Sequence, residues 1–284
     1  MLNYITALYL ALFLMLSTIA EALEIETIIS TNHFIYDSFQ EWTKDTPCEK
    51  ISDFNSPYAN RGTVELIIIC QALDVAGYKT KLKLKQYPNY ERALIQAKSG
   101  DVHISAETLW EDDIDEEFFY KTSAIIKNGE FEKGIYTLAE NTHVLKVGSL
   151  EELQALRAVM LRVWKVDWKT LQAMKIKTFS APNKINMFKM IKAKRIDFTI
   201  LEFSHAEDMS NQLAGIRLVP VPNIKVGLQG TRYFVVSKKS LNAEALYNAL
   251  NRGITKLRET GMITRALTES GFINQRVKFW NKVF

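Results

Sequence analysis

Cysteine is almost missing from this 284-residue chain: Cys48 and Cys70 are the only two. No second cysteine or histidine stands at ligand spacing from another, so neither a metal centre nor thiol catalysis has support, and no cofactor is expected. Histidine is equally scarce; His33, His103, His143 and His205 are scattered singly and read as structural residues. Six prolines and twelve glycines form no linker, and there is no low-complexity tract, so any separate units must be joined tightly. Charge of one sign is also lacking. Lys and Arg number 36 against 32 Asp and Glu, interspersed, for a net +4. Without a basic arm or arginine-rich block, nucleic acid is excluded as a partner. After residue 22 no segment is long and apolar enough to span a bilayer, which takes about 20 residues.

One apolar run does exist, at the start. Leu8 to Leu16 is uninterrupted, and Ala20-Glu21-Ala22 places small residues where a signal peptidase needs them. No Lys or Arg precedes the run, so an uncleaved anchor is the weaker alternative. No cysteine follows closely enough to carry a lipid. Residues 1–22 are therefore expected to be a signal peptide cleaved after Ala22, leaving a soluble periplasmic monomer. In such a compartment Cys48 and Cys70 can pair. Cys70 also lies in the apolar stretch Leu66–Leu73, where a thiol packs like any small hydrophobe, so both states stay open.

Within the mature chain one phrase occurs twice. Ala93 to Ser105 reads as an amphipathic helix, a turn at Ser99-Gly100-Asp101 and a short buried strand. Phe188 to Ile200 repeats that grammar with Lys194-Arg195 in place of the glycine turn. Two such units suggest two similar α/β lobes with a ligand between them. The surrounding pattern is α/β throughout. Lys81 to Lys85 alternates as a half-exposed strand, Asn89 and Asn183 are helix caps, and Ser149-Leu150-Glu151-Glu152 is a capping box. Val144 to Val147 reads as a short strand, Arg157 to Val163 as another, and Asp167 as the cap of a short helix. Thr231 to Ser237 is strand-like, and Asn242 to Thr260 a long helix.

Several of these segments resemble the periplasmic solute-binding proteins of bacterial family 3, whose type II fold includes amino-acid receptors of ABC importers. Arg61-Gly62-Thr63-Val64-Glu65-Leu66 is similar to the segment leading into that family's first helix. Leu94 to Val102 resembles its first-lobe turn, and Val147-Gly148-Ser149-Leu150-Glu151-Glu152-Leu153 the opening of its second lobe. Lys194-Arg195-Ile196-Asp197 and Ala245 to Gly261 resemble later parts. The resemblance implies a two-lobe type II periplasmic-binding-protein-like fold with a ligand cleft between the lobes. The first lobe would take residues 23–138 and 230–284, and the second 139–229, with crossings at Phe131–Ala139 and Thr231–Ser237. It also implies a solute-binding protein, not an enzyme, that captures a small polar molecule, amino-acid-like or amine-containing, by lobe closure for an ABC permease.

The sequence departs from the family where amino-acid receptors carry a carboxylate-gripping arginine. Here the stretch runs Glu107-Thr108-Leu109-Trp110-Glu111-Asp112-Asp113-Ile114-Asp115-Glu116-Glu117, with no arginine and six carboxylates after Trp110. An arginine fork is the natural bidentate partner of a carboxylate, so its loss weakens the case for an α-amino acid and favours an amine. Most of that acidic run reads as a solvated surface turn. Loops after strand carboxyl ends face the crevice in open α/β sheets. They nominate Phe34, Tyr58, Arg61, Glu107, Thr108 and Trp110 in the first lobe, and Arg162, Trp164, Asn183 and Glu202 in the second. Trp110 and Glu107 together would offer a cation a π-face and a carboxylate. Core packing is the commoner role for any single aromatic, and Arg61 can equally serve the helix it opens. A sensor that signals to a membrane partner would need the same closing motion. An enzyme on this fold would have Glu107 and Glu202 as its available acids, with nothing at nucleophile–base spacing to support it. A paralogue that binds nothing is a further alternative.

Overall fold

The computed structural model describes residues 25–88, 90–204 and 206–284, without the side chains of residues 90 and 91. The expected signal peptide, the Asn89 cap and His205 lie outside the described residues. Two sheets organise the chain. The first has the order β2 (Lys81–Gln86), β1 (Glu26–Thr31), β3 (Ile104–Ser105), β12 (Arg232–Ser237), β4 (Leu109–Trp110), with β5 (Phe119–Ile126) also on β12. Strands β1, β2 and β3 are parallel; β12 returns antiparallel to β3, β4 and β5. The second sheet has the order β10 (Asn211–Leu213), β11 (Ile216–Gly227), β6 (Glu132–Thr137), β9 (Thr199–Leu201), with β13 (Asn281–Lys282) on β11. A parallel pair, β7 (Arg157–Leu161) and β8 (Lys177–Ala181), continues it through a bridge from Ala158 to Phe198. The architecture is mixed α/β in two lobes, as the sequence pattern implies.

Helices cover these sheets. The first lobe carries α1 (His33–Thr43), α2 (Arg61–Val75), α3 (Tyr90–Ser99), α7 (Ala243–Glu259) and α8 (Met262–Glu269); the second carries α4 (Leu150–Gln154), α5 (Lys165–Ala173) and α6 (Lys184–Lys192). Helix α2 is apolar nearly all round and is buried from Gly62 to Leu73, as a central core helix must be. Asn60 caps it, its side chain accepting from the Thr63 amide at 3.1 Å. Helix α7 buries Ala243, Leu246, Ala249, Leu250, Gly253, Ile254 and Leu257, a three–four spacing that lays one face on the core and leaves the other to solvent. Both halves of the Ser149–Glu152 capping box form.

The repeated phrase is real at the level of backbone. Gly100 turns out of α3 at φ +93°, and in the second copy Lys194 takes φ +56° after α6. Glycine enters that left-handed region freely; a lysine pays about 1 kcal/mol, which the buried strand beyond must offset.

Four expectations are corrected. Val144–Lys146 is a single 3₁₀ turn, closed by hydrogen bonds from the Lys146 amide to His143 O (3.4 Å) and from the Val147 amide to Val144 O (3.1 Å). Asp167 is not the cap of α5: Trp164 holds that position, and the Asp167 side chain is buried in an ion pair. Strand β6 pairs with β9 on one edge and β11 on the other, so Glu132–Thr137 belongs to the second sheet and the first crossing precedes it. The crossings are the adjacent segments 127–131 and 228–231, tied by hydrogen bonds from Gly129 N to Leu228 O (3.0 Å) and Leu228 N to Phe131 O (2.8 Å). The chain also crosses a third time. Residues 275–284, expected with the first lobe, pack on the second: β13 joins β11, Arg276 donates to the carbonyls of Ser204, Ala206 and Glu207, and Trp280 meets Phe203 edge-on.

Cys48 and Cys70 form a disulfide, with Cα atoms 6.1 Å apart and a sequence separation of 22. It fastens the loop before α2 to the middle of that helix. Closing a loop of this size stabilises the folded state by about 3 kcal/mol. Reduction, or Cys48→Ser with Cys70→Ser, is expected to lower the unfolding temperature by roughly 10 °C in a calorimetric scan.

His103 follows the Gly100 turn, its Nδ1 accepting from the Ile28 amide at 3.0 Å. Burial holds its pKa below the usual 6.5. The unfolded chain therefore takes up this proton first. The histidine's contribution to stability is fully present above about pH 6.5 and is lost as pH falls from there toward the folded-state pKa. Urea titrations across pH 5 to 7 are expected to show that slope, and His103→Gln to flatten it.

Candidate functional site

The site begins with a carboxylate that has no access to water. Glu65, one turn into α2, is 0% exposed. It receives the Arg61 guanidinium at 2.9 and 3.1 Å, the Thr108 amide at 2.9 Å and the Thr108 hydroxyl at 2.7 Å. A charge buried this completely is tolerable only when every lone pair is met. Arg61 then extends its other nitrogen 3.0 Å to Glu107, beside the β3 terminus, and Asn32 reaches the second Glu107 oxygen at 3.5 Å. Arg232 of β12 donates its Nε to the Thr108 hydroxyl at 2.8 Å, hydrogen-bonds the Thr108 carbonyl and lies 4.6 Å from the Trp110 ring centre. Helix, loop and crossing strand thus share one network.

A cleft of about 780 Å³ opens over this network, between the lobes. Arg61, Glu107, Trp110, Asp112, Asp113 and Arg232 line it from the first lobe, and Val163, Trp164, Lys165, Asp167 and Glu202 from the second. Burial opposes the Arg61 charge, but the carboxylates of Glu65, Glu107 and Glu202 outweigh that penalty and hold its pKa above the ordinary range. Glu202 acts on it from the far lobe. Across the mouth, Asp113 meets Lys165 at 2.5 Å and Asp112 pairs with Lys169. Where the crossings form the cleft floor, Trp110 stacks on Phe131 with ring centres 5.6 Å apart. A Cβ on Gly230 would stand 3.0 Å from Trp110 and 3.1 Å from Val166, so a larger residue there would press on side chains of both lobes.

Of the residues nominated from sequence, Arg61, Glu107, Trp110, Trp164 and Glu202 come together at the cleft. Thr108 is fully buried behind its wall. The other four stand elsewhere. Phe34 is 66% exposed on α1, and Tyr58 is 39% exposed in the loop before α2. Arg162 stacks on Trp168 at 4.2 Å, outside the cleft. Asn183 caps α6, accepting from the Asn186 amide at 2.9 Å. The pairing imagined for Trp110 and Glu107 also changes, because each already has a partner within the chain: Arg232 for the ring, Arg61 for the carboxylate. The acidic run after Trp110 is neutralised piecewise, by Lys121, Lys98 and the two mouth lysines.

Sequence reasoning missed Phe131, Lys133, Lys165, Asp167 and Arg232, along with the roles of Asp112 and Asp113. Strand β6 was the available signal. Lys133 alternates with inward positions in a strand that is buried from Lys133 to Thr137, and a lysine there demands a carboxylate.

No family model matches the chain, and no curated protein matches it in sequence. Solved structures do match along most of its length. A probable amino-acid ABC transporter extracellular-binding protein of Bacillus subtilis is 16% identical with a TM-score of 0.56, over 90% of this chain and 99% of that one. The second substrate-binding domain of GlnP from Lactococcus lactis, in an open conformation, is 14% identical with a TM-score of 0.52, over 88% and 97%. The amino-acid ABC transporter substrate-binding protein AbpA of Streptococcus pneumoniae, bound to L-arginine, is 12% identical with a TM-score of 0.50, over 90% and 97%. At these identities the likeness establishes the fold: the chain has the two-lobe architecture of amino-acid ABC transporter substrate-binding proteins.

The buried network separates Glu65 from Glu107. Glu65→Ala strands Arg61 and Thr108 without their acceptor and is expected to destabilise by about 3–5 kcal/mol. Glu107→Ala removes a partner that is 22% exposed while Glu65 still holds Arg61, and should cost less, about 1–2 kcal/mol. Urea unfolding of both variants measures the difference.

Proposed function

We propose that this protein captures a small polar solute in the interlobe cleft, as a binding protein and not an enzyme. The observation that carries this reading is Arg61, held by Glu65 and Glu107 on one lobe and facing Glu202 on the other across about 780 Å³. That volume suits a molecule of amino-acid size. The cleft-facing side of the Arg61 guanidinium favours an anionic end of the solute, and Glu202 favours an ammonium end. An amino-acid-like or amine-containing solute meets both demands, and the amine is the more distinctive of them, since the family's arginine position in the Glu107–Glu117 stretch is empty of arginine.

On this reading the mouth pairs Asp113–Lys165 and Asp112–Lys169, formed here between the lobes, hold the cleft shut over Glu202 and the Arg61 network, and they part to admit the solute. The lobes on this reading are residues 25–126 with 232–274, and 132–227 with 275–284. Export to the periplasm, cleavage after Ala22, a monomeric state and delivery to an ABC permease complete the proposal. Among the described residues no helix is long and apolar enough to cross a membrane.

A thermal-shift screen of the mature protein against amino acids, polyamines and organic acids is expected to find its hits among zwitterions and amines. For the best hit, Glu202→Gln should weaken binding by about tenfold or more in calorimetry, the loss of one charge-assisted contact. Asn183→Ala, away from the cleft, should leave affinity unchanged. A stabilising ligand whose affinity ignores Glu202 would move the site elsewhere, and no stabilisation by any of these classes would overturn the reading.

A further inference from the structure

One group in the cleft is already bound as a ligand would be. Lys133, on the first strand past the crossing, sends its ammonium 2.5 Å from the Asp167 carboxylate of α5. The same nitrogen lies 5.3 Å from the centre of the Phe131 ring and 5.4 Å from that of Trp164. Both charged side chains are 7% exposed, so the pair is desolvated. Two aromatic faces and one carboxylate converging on a dehydrated ammonium are the chemistry by which proteins recognise free organic cations. The Phe131 ring is braced from outside, stacked on Trp110 and meeting Phe272 edge-on at 4.7 Å. All four residues of the arrangement line the cleft.

We infer that Phe131, Trp164 and Asp167 form a site for a primary alkylammonium group, and that Lys133 fills it from within the chain. Lys133 is then a specificity-determining residue. By occupying the cage it denies a solute any cationic anchor at the floor of the cleft and leaves the ammonium end to Glu202. A buried lysine kept only for stability would have no use for two ring faces; an apolar residue of the same length packs there without the desolvation cost. The inference goes beyond the solute-binding reading and can be tested without any solute.

Truncation to alanine removes the side chain beyond Cβ, which is the size and charge of n-propylammonium. The experiment measures the unfolding temperature and binding isotherm of Lys133→Ala against n-propylammonium chloride, with sodium chloride at equal ionic strength and 1-propanol as controls. The expected result is saturable stabilisation of Lys133→Ala by the amine, at least about tenfold tighter than by 1-propanol. The parent, whose cage is full, should show no such binding. Lys133→Ala with Asp167→Asn should lose the preference for the amine over the alcohol. If Lys133→Ala is unfolded in buffer, its refolding from urea in n-propylammonium or in 1-propanol makes the same comparison, and amine-specific recovery supports the cage. Equal effects of amine and alcohol, equal binding by the parent, or no effect of either on the variant would overturn it.

Discussion

An ionised carboxylate in a dry interior must have every lone pair answered, and the Glu65 side chain sets the terms for the first lobe and its cleft. Meeting it takes a guanidinium from its own helix and an amide and hydroxyl from the loop after β3, so α2 and that loop are held in one relative position. Thr108, fixed in this way, presents its remaining acceptors to Arg232, which draws in the strand that returns from the second lobe. The charge therefore registers three segments that are far apart in sequence. What reaches the cleft is the outer end of this arrangement, namely one side of Arg61, the Glu107 carboxylate and the indole of Trp110. Because their inner ends are locked, these groups meet a solute with little freedom left to lose.

The same economy of charge runs through the second lobe. Lys133 and Asp167 answer each other, and Lys225 of β11 is buried against Glu132 at 2.8 Å, with Lys282 of the chain's last strand at 2.8 Å from the other Glu132 oxygen. Lysines 133 and 225 lie on neighbouring strands of one sheet and point to its opposite faces, each neutralised by a carboxylate from close by. Removing either acid would leave a buried ammonium without its counter-charge, and that is costlier than the loss of a surface pair by several kcal/mol.

The fold was largely legible in the sequence and the site only in part. Amphipathic α7, the apolar α2, the alternating edge strand β2 and the capping boxes announce themselves by local periodicity, and the order of such elements carries the two-lobe plan. Strand β6 did not reveal its sheet, because strand membership depends on partners: β9 lies more than sixty residues away and β11 more than eighty. The cleft residues Arg61, Glu107, Trp110, Trp164 and Glu202 follow from the rule that loops beyond strand ends face the crevice. The rule fails for Phe34 and Asn183, whose backbones turn directly into helices that carry the side chains outward or spend them on a cap. Lys133, Asp167 and Arg232 have no local signature at all. Their roles exist only once the crossings are folded beside one another.

The third passage between the lobes bears on how they can move. Two adjacent crossing segments alone would leave the lobes free to twist as well as to open, like a gate hung on a cord. Residues 275–284 lie along β11 beside those crossings, with Gly227 N bonded to Phe284 O at 2.9 Å, Val283 N to Lys225 O at 3.0 Å, and Lys225 Nζ to Val277 O at 2.9 Å. Those bonds hold the tail to the second lobe, so the link just before residue 275 is a third tie between the lobes, and three ties side by side leave rotation about the line through them free while resisting twist. The tail thereby selects one angular coordinate for the relative motion of the lobes and stiffens the rest.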